Sequence, residues 1–148
     1  VTGIRAMIVD IDGTIARNNS GRPWYGEGYE KRLHEDDVDS AVDRVVNALY
    51  ATAIVETVLF VSGRTEAGRE ATQQWIYERT SHTIDGRSGL LLMRKDGDFR
   101  PDVVIKREIY DEHIRDVYDV VLALDDKPEM IELWRSLDIP AWQVNEYR

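Results

Sequence analysis

Four short apolar runs constrain this chain more than any other feature: Ile4–Val9, Val55–Val61, Leu90–Met93 and Val120–Leu124. Each is too short for a typical helix and rich in Val, Ile and Leu, which suits strands buried on both faces. The stretches between them carry helical spacing. Val38, Val42, Val45, Val46 and Leu49 share one stripe, and Asp36, Asp37 and Asp39 before it suit a negative first turn, which predicts a helix over 37–51. A second helix is expected over 66–80, with Thr65 as N-cap and Ala67, Ala71, Gln74 and Trp75 near one face. Val104, Ile109 and Ile114 give helical spacing over 103–116, and Pro128 suits the first turn of a helix reaching Leu137. Ala141–Val144 reads as a last strand, Asn18 to Glu35 as an ordered flap, and Lys95-Asp96-Gly97-Asp98 as a turn. Strands alternating with helices predict an α/β fold, a Rossmann-like three-layer α/β/α sandwich with a mostly parallel sheet.

Several functional classes are disfavoured by composition. The chain has 148 residues, enough for one core, and we read 1–148 as a single domain. It begins with Val1 rather than Met, which suits a domain taken from a longer polypeptide. No apolar run approaches a membrane span, and nothing near Arg5 and Asp10 reads as a signal peptide. The absence of cysteine rules out disulfides, thiolate metal sites and thiol catalysis, and a cytoplasmic protein is the simplest expectation. A net charge of −9 argues against coating nucleic acid by bulk electrostatics, though a few arginines could still concentrate positive potential at one site.

The chemistry-bearing residues sit where the apolar runs stop. Asp10-Ile11-Asp12-Gly13-Thr14 follows the first run and puts two carboxylates two residues apart, on one side if the strand geometry persists. One carboxylate could attack phosphorus while the other transfers protons, Gly13 permits a sharp turn, and Thr14 could address phosphate. Ser62-Gly63-Arg64-Thr65 ends the second run and opens a helix, a combination that can cradle phosphate through the Ser62 hydroxyl, the amides after Gly63 and the Arg64 guanidinium. Lys106 is a lone cation near a helix start, and Asp125-Asp126 closes the fourth run. Two adjacent acids there suit a cation; Asp126 as a cap of the next helix is the other reading. Asp10, the Asp12 carbonyl, Asp125 and Asp126 together would form an oxygen-rich site suited to Mg²⁺. His34, His82 and His113 lie outside every motif, and Trp75, Trp134 and Trp142 read as core or half-buried residues.

In that order, Asp10–Thr14, Ser62, Lys106 and Asp125-Asp126 resemble the four motifs of the haloacid dehalogenase-like (HAD) phosphohydrolases. A narrower resemblance is to the 3′-phosphatase domain of phage-type polynucleotide kinase/3′-phosphatase. It is carried by Asp10–Arg22 with Gly21-Arg22-Pro23, by Val61–Arg64 and by Gly97–Lys106. Leu124–Asp126, Met130–Arg135 and Ala141–Val144 extend it. The resemblance implies Asp10 as nucleophile, Asp12 as general acid/base, Ser62 and Lys106 as catalytic partners, and Asp125 and Asp126 as metal ligands with Mg²⁺ as cofactor. It also implies substrate contacts from Arg22, Arg64 and Arg94, although the loop before Arg22 carries a one-residue insertion. No G-x-x-x-x-G-K-[ST] occurs, so kinase activity is not expected of this chain.

Only about two dozen residues separate Thr14 from Asp37, too few for the cap domain that many such enzymes insert. An open site can accept a phosphate at a polymer end. Arg17, Arg22, Arg64, Arg94 and Arg100 could line its mouth, and Trp24 and Tyr25 could stack on a base or pack the flap onto the domain. The expected activity is therefore removal of a 3′-phosphate, or a 2′,3′-cyclic phosphate, from a DNA or RNA end. A phosphatase of small molecules and a non-catalytic module that binds nucleic acid ends are the alternatives.

Overall fold

The computed structural model describes residues 3–146. Strand β1 (Ile4–Val9) leads into a two-stranded ribbon, β2 (Ala16–Arg17) with β3 (Asp37–Val38), that brackets the flap and a 3₁₀ segment, Tyr29–Glu35. Helix α1 (Ser40–Ala51), β4 (Thr57–Thr65), α2 (Arg69–Arg79) and β5 (Gly89–Arg94) follow. The chain then forms α3 (Asp102–Ile109), β6 (Tyr118–Asp125), α4 (Pro128–Ser136) and β7 (Ala141–Gln143). The main sheet has the order β5-β4-β1-β6-β7, and all its pairings are parallel.

Side chains along the central strands alternate between two cores, because successive residues of a strand point to opposite faces. Met7 and Val9 of β1, with Val58 and Phe60 of β4, pack against Val42 and Val46 of α1 and Trp75 and Ile76 of α2. Ala6 and Ile8, with Leu59 and Val61, face Ile105 and Ile109 of α3 and Met130, Ile131 and Trp134 of α4. Apolar residues at consecutive positions are therefore a consequence of helices covering both faces. From β1 the chain runs outward through β4 and β5, then crosses to β6 and β7 on the other side. This reversal beside β1 opens a crevice at the carboxyl ends of the strands, the usual ligand position in such sheets.

The structure departs from the sequence expectations at element ends. Helix α1 starts at Ser40, and its N-cap is Asp39, whose Oδ1 accepts from the Val42 amide at 3.1 Å. Asp37 instead lies in β3, and Asp36 is fully buried. Thr65 does not cap with its side chain; it ends β4, and α2 begins only after a 3₁₀ turn, Glu66–Gly68. The helix expected over 103–116 is α3 followed by a π-helical turn, Tyr110–Ile114. Val45 is exposed rather than on the buried stripe, and Trp142, expected to be at least half-buried, is 58% exposed on β7. No helix among the described residues is long and apolar enough to cross a membrane.

Candidate active site

Asp10 is the residue immediately after β1, held there by its amide, which donates to the Leu124 carbonyl of β6 at 3.0 Å. Its side chain is almost wholly buried, and both carboxylate oxygens are oriented. Oδ1 accepts from Lys106 Nζ at 2.7 Å, and Oδ2 accepts from the Thr14 hydroxyl at 2.8 Å. Lys106 donates a second bond to Asp125 Oδ2 at 2.9 Å, while the other Asp125 oxygen takes the Lys127 amide at 3.1 Å. The ammonium is 2% exposed; burial alone would strip its proton, but Asp10 and Asp125 raise its proton affinity above the ordinary lysine value. Lys106, on the last turns of α3, is thus a fixed charge between two carboxylates from neighbouring strands.

The two acids at the end of β6 do different things. Asp125 is committed to Lys106 and to a backbone amide, whereas the Oδ1 atom of Asp126 is buried with no hydrogen-bond partner. Asp126 therefore does not cap α4, whose N-cap is Lys127. Burial, then repulsion from Asp125, raises the Asp126 carboxyl to about 6, and the same two effects lift Asp10 well above the usual carboxylate range. One oxygen from each of Asp10, Asp125 and Asp126 lies within 4.8 Å of the others. An orphaned buried carboxylate oxygen in an all-oxygen group that repels itself is the donor set a hard divalent cation fits. Gly13 allows this closeness: its φ is +82°, and a Cβ there would come 2.2 Å from Asp126 Oδ2.

The Asp12 carboxylate lies outside that acidic group, leaving only its carbonyl as a candidate ligand. Its Oδ1 accepts from Arg22 Nη2 at 3.0 Å and Arg64 Nη2 at 2.7 Å, and its Oδ2 from Arg64 Nε at 3.0 Å. Burial opposes the charge on Asp12, but Arg64 and then Arg22 outweigh it and hold the carboxyl below its ordinary value. Behind them sits Asp36, a residue the sequence reading had placed in a helix turn. Its carboxylate takes Arg22 Nε at 2.7 Å and Arg22 Nη2 at 2.6 Å, together with Arg64 Nη2 at 2.9 Å. Trp75 Nε1 donates to the Asp36 carbonyl at 3.0 Å and fixes the backbone there. A run of acids before a helix gave no sign that Asp36 differs from Asp37 or Asp39.

Ser62 lies on β4, is buried, and accepts the Arg64 amide at 3.1 Å through its hydroxyl oxygen, leaving the hydroxyl proton to donate. Gly63 passes so close to α3 that a Cβ would meet Asp102 Oδ1 at 2.6 Å. Arg94, expected to touch substrate, has a bracing position here: it donates to the Gly63 carbonyl at 2.8 Å, to the carbonyls of Asp98 and Arg100, and to Asp102. Asp102 also takes Lys127 Nζ at 2.6 Å. Arg17 pairs with Asp39, and Arg100 with Asp98 and Glu108. The site thus gathers Asp10, Asp12, Thr14, Arg22, Ser62, Arg64, Lys106, Asp125 and Asp126, with Arg94 behind them.

Replacing Asp36 by Asn would leave two buried guanidinium groups sharing one carboxylate. Removing one partner of a buried ion cluster costs about 3–5 kcal/mol. Urea unfolding of Asp36→Asn is expected to show a loss of that size; a change below roughly 0.5 kcal/mol, the level of an ordinary surface substitution, would contradict the network described.

The chain and its fold are similar to those of known proteins. Residues 4–147 match the family model described as the polynucleotide kinase PNKP phosphatase domain. The chain is 30% identical, over 136 residues, to a putative bifunctional polynucleotide kinase/RNA ligase of Autographa californica nuclear polyhedrosis virus. That match covers 92% of this chain but only 18% of the viral protein. Two solved structures, both of the Pnkp1/Rnl/Hen1 complex and one described as an RNA repair complex, contain similar chains at 32% identity, with TM-scores of 0.84 and 0.85. They cover 98% and 99% of this chain and 43% and 48% of the matched chains, so this chain spans less than half the length of those relatives. The α/β sheet with its carboxylates at the strand ends, and a family match over nearly the whole length, establish that the chain belongs to the HAD-like phosphatase domains of the polynucleotide kinase PNKP family.

Proposed function

We propose that this chain is a Mg²⁺-dependent polynucleotide 3′-phosphatase working through an aspartyl-phosphate on Asp10. The observation that carries the reading is the Asp10 carboxylate, aimed by Lys106 and Thr14 beside the unpartnered oxygen of Asp126. Asp10, Asp126 and Asp125 would hold the ion, with the Asp12 carbonyl completing the protein's share. When bound, the ion supplies positive charge to phosphoryl oxygens and relieves the repulsion among the acids.

An Asp10 oxygen attacks phosphorus in line, and the bond from phosphorus to the sugar oxygen breaks with its electron pair on that oxygen. Asp12 donates the proton that makes the leaving group an alcohol. Asp12 then removes a proton from water, whose oxygen attacks the same phosphorus, releasing inorganic phosphate and restoring the Asp10 carboxylate. Lys106 balances the negative charge next to the nucleophile throughout, and Ser62 offers its hydroxyl proton to a phosphoryl oxygen. Arg22 and Arg64 keep Asp12 ionised in the free protein. A phosphate drawing their hydrogen bonds to itself would release that hold and raise the proton affinity of Asp12, which takes a proton from solvent as substrate binds and later gives it to the leaving oxygen.

RNA ends are the favoured substrate, since the similar proteins are described as a polynucleotide kinase/RNA ligase and as parts of an RNA repair complex. Opened 2′,3′-cyclic ends fit the same chemistry. We place the unit 1–148 in a longer cytoplasmic protein or assembly that also carries kinase and ligase functions, the pair named in the description of the viral relative.

Two measurements test the reading. With Mg²⁺, a 3′-phosphorylated oligonucleotide is expected to turn over in strong preference to its 5′-phosphorylated counterpart and to nucleoside monophosphates. Asp10→Asn should lower that rate at least about 10³-fold and Asp12→Asn about 10²–10⁴-fold. Faster turnover of free monophosphates would point to a small-molecule enzyme instead. The second concerns the ion. The raised proton affinity of Asp126 means the metal-free fold loses stability as pH rises from the ordinary carboxylate range through about 6. Mg²⁺ should recover it by mass action, raising the melting temperature above pH of about 6 and progressively less below it, where Asp126 holds a proton. A thermal shift equally large at about pH 5, or unchanged in Asp126→Asn, would contradict that ligand set.

A further inference from the structure

The flap is tied down at both ends and bare at its tip. At one end Arg22 is buried, bonded to Asp12 and Asp36, and clasped by Asn18 through its amide at 3.2 Å and its carbonyl at 2.9 Å. At the other end Tyr29 is buried, its hydroxyl donating to the Thr65 carbonyl at 3.0 Å. Its ring lies so close over Gly68 that a Cβ there would meet the hydroxyl at 2.2 Å. Between these anchors, Trp24 is 51% exposed and Tyr25 is 83% exposed. Tyr25 is thus not used to pack the flap onto the domain, while Trp24 keeps about half its surface free.

Trp24 is nevertheless placed. The Arg22 guanidinium carbon lies 5.5 Å from its ring centroid, within cation–π range, and the same guanidinium bonds Asp12. The indole is therefore backed by a buried cation of the catalytic centre and turns its remaining surface to solvent. A flat, amphipathic ring already held in place loses little entropy when another flat group stacks on it.

Charge favours such a contact. A protein of net charge −9 repels a polyanion, and the arginines nearest the site are already faced by acids: Arg22 and Arg64 by Asp12 and Asp36, Arg94 by Asp102, Arg100 by Asp98 and Glu108. Few cations remain to track a backbone, whereas stacking on a base needs none and works for any base.

We propose that Trp24 is the platform on which the 3′-terminal base of a single-stranded polynucleotide stacks, so that the flap tip selects nucleotide ends over base-free phosphate esters. This rests on the 3′-phosphatase reading above. The probes are two 3′-phosphorylated oligonucleotides, identical except that the terminal sugar of one carries no base, assayed with wild type, Trp24→Ala and Trp24→Phe in Mg²⁺. In the wild type, losing the base should lower kcat/KM by about five- to a hundredfold, the range one base–aromatic stack supplies. In Trp24→Ala that penalty should fall to within about twofold, while Trp24→Phe retains most of it. The penalty is a ratio within one protein, so a general loss of activity in a variant does not alter the reading.

An equal penalty in wild type and Trp24→Ala overturns the inference and leaves the 3′-phosphatase reading standing. No penalty in wild type overturns it too. A wild-type chain that hydrolyses an aryl phosphate but neither oligonucleotide overturns the 3′-phosphatase reading, and this inference with it.

Discussion

The rest of the site depends on one buried ammonium. Three carboxylates, Asp10, Asp125 and Asp126, converge at the ends of adjacent central strands, where their mutual repulsion and desolvation would each cost several kcal/mol if uncompensated. Lys106 makes the arrangement tenable by bonding Asp10 and Asp125 at once. Its position follows from the fold: α3 packs Ile105 and Ile109 against the sheet, and Lys106, next to Ile105, reaches the carboxylates at the strand ends. Because Lys106 and the Lys127 amide satisfy Asp125, only Asp126 keeps a bare oxygen. The division of labour between two adjacent acids thus comes from which of them the lysine reaches.

A second, separate charge cluster surrounds Asp12. Two guanidinium groups and two carboxylates neutralise one another there, with Arg22 and Arg64 each shared between Asp12 and Asp36. Asp10 and Asp12 therefore sit in environments that push their proton affinities apart, Asp10 upward and Asp12 downward. Asp12 is thus the stronger acid of the two. Asp36, fully buried, gives both arginines a second carboxylate behind Asp12.

Much of this was legible in the sequence, and what was not has a physical reason. Consecutive apolar residues in β1, β4 and β6 revealed strands covered on both faces, and chemistry-bearing residues directly after them had to meet at one edge of a parallel sheet. Topology alone gathers Asp10, Asp12, Ser62 and Asp125-Asp126 at that edge, whereas Lys106, on α3, stood out only through the charge such a group requires and the family resemblance. Asp36 needed more, because its bonds to Arg22 and Arg64 form only when the flap and β4 come together; on paper it is one of several acids before a helix. Arg94, which the resemblance assigns to the substrate, is bonded in this fold to the carbonyls of Gly63, Asp98 and Arg100. Sequence position locates a side chain along a strand, but not which of several nearby acceptors it will satisfy.

Covalent attack by Asp10, proposed above, is tested most directly by chemical trapping. The chain would be mixed with a 3′-phosphorylated oligonucleotide and Mg²⁺, quenched in acid during turnover, and reduced with borohydride, which converts an aspartyl-phosphate to homoserine. Peptide mass spectrometry should then find homoserine at position 10, and none in samples lacking substrate. Position 10 remaining aspartate in every quenched sample, while the same samples release phosphate, would contradict the mechanism.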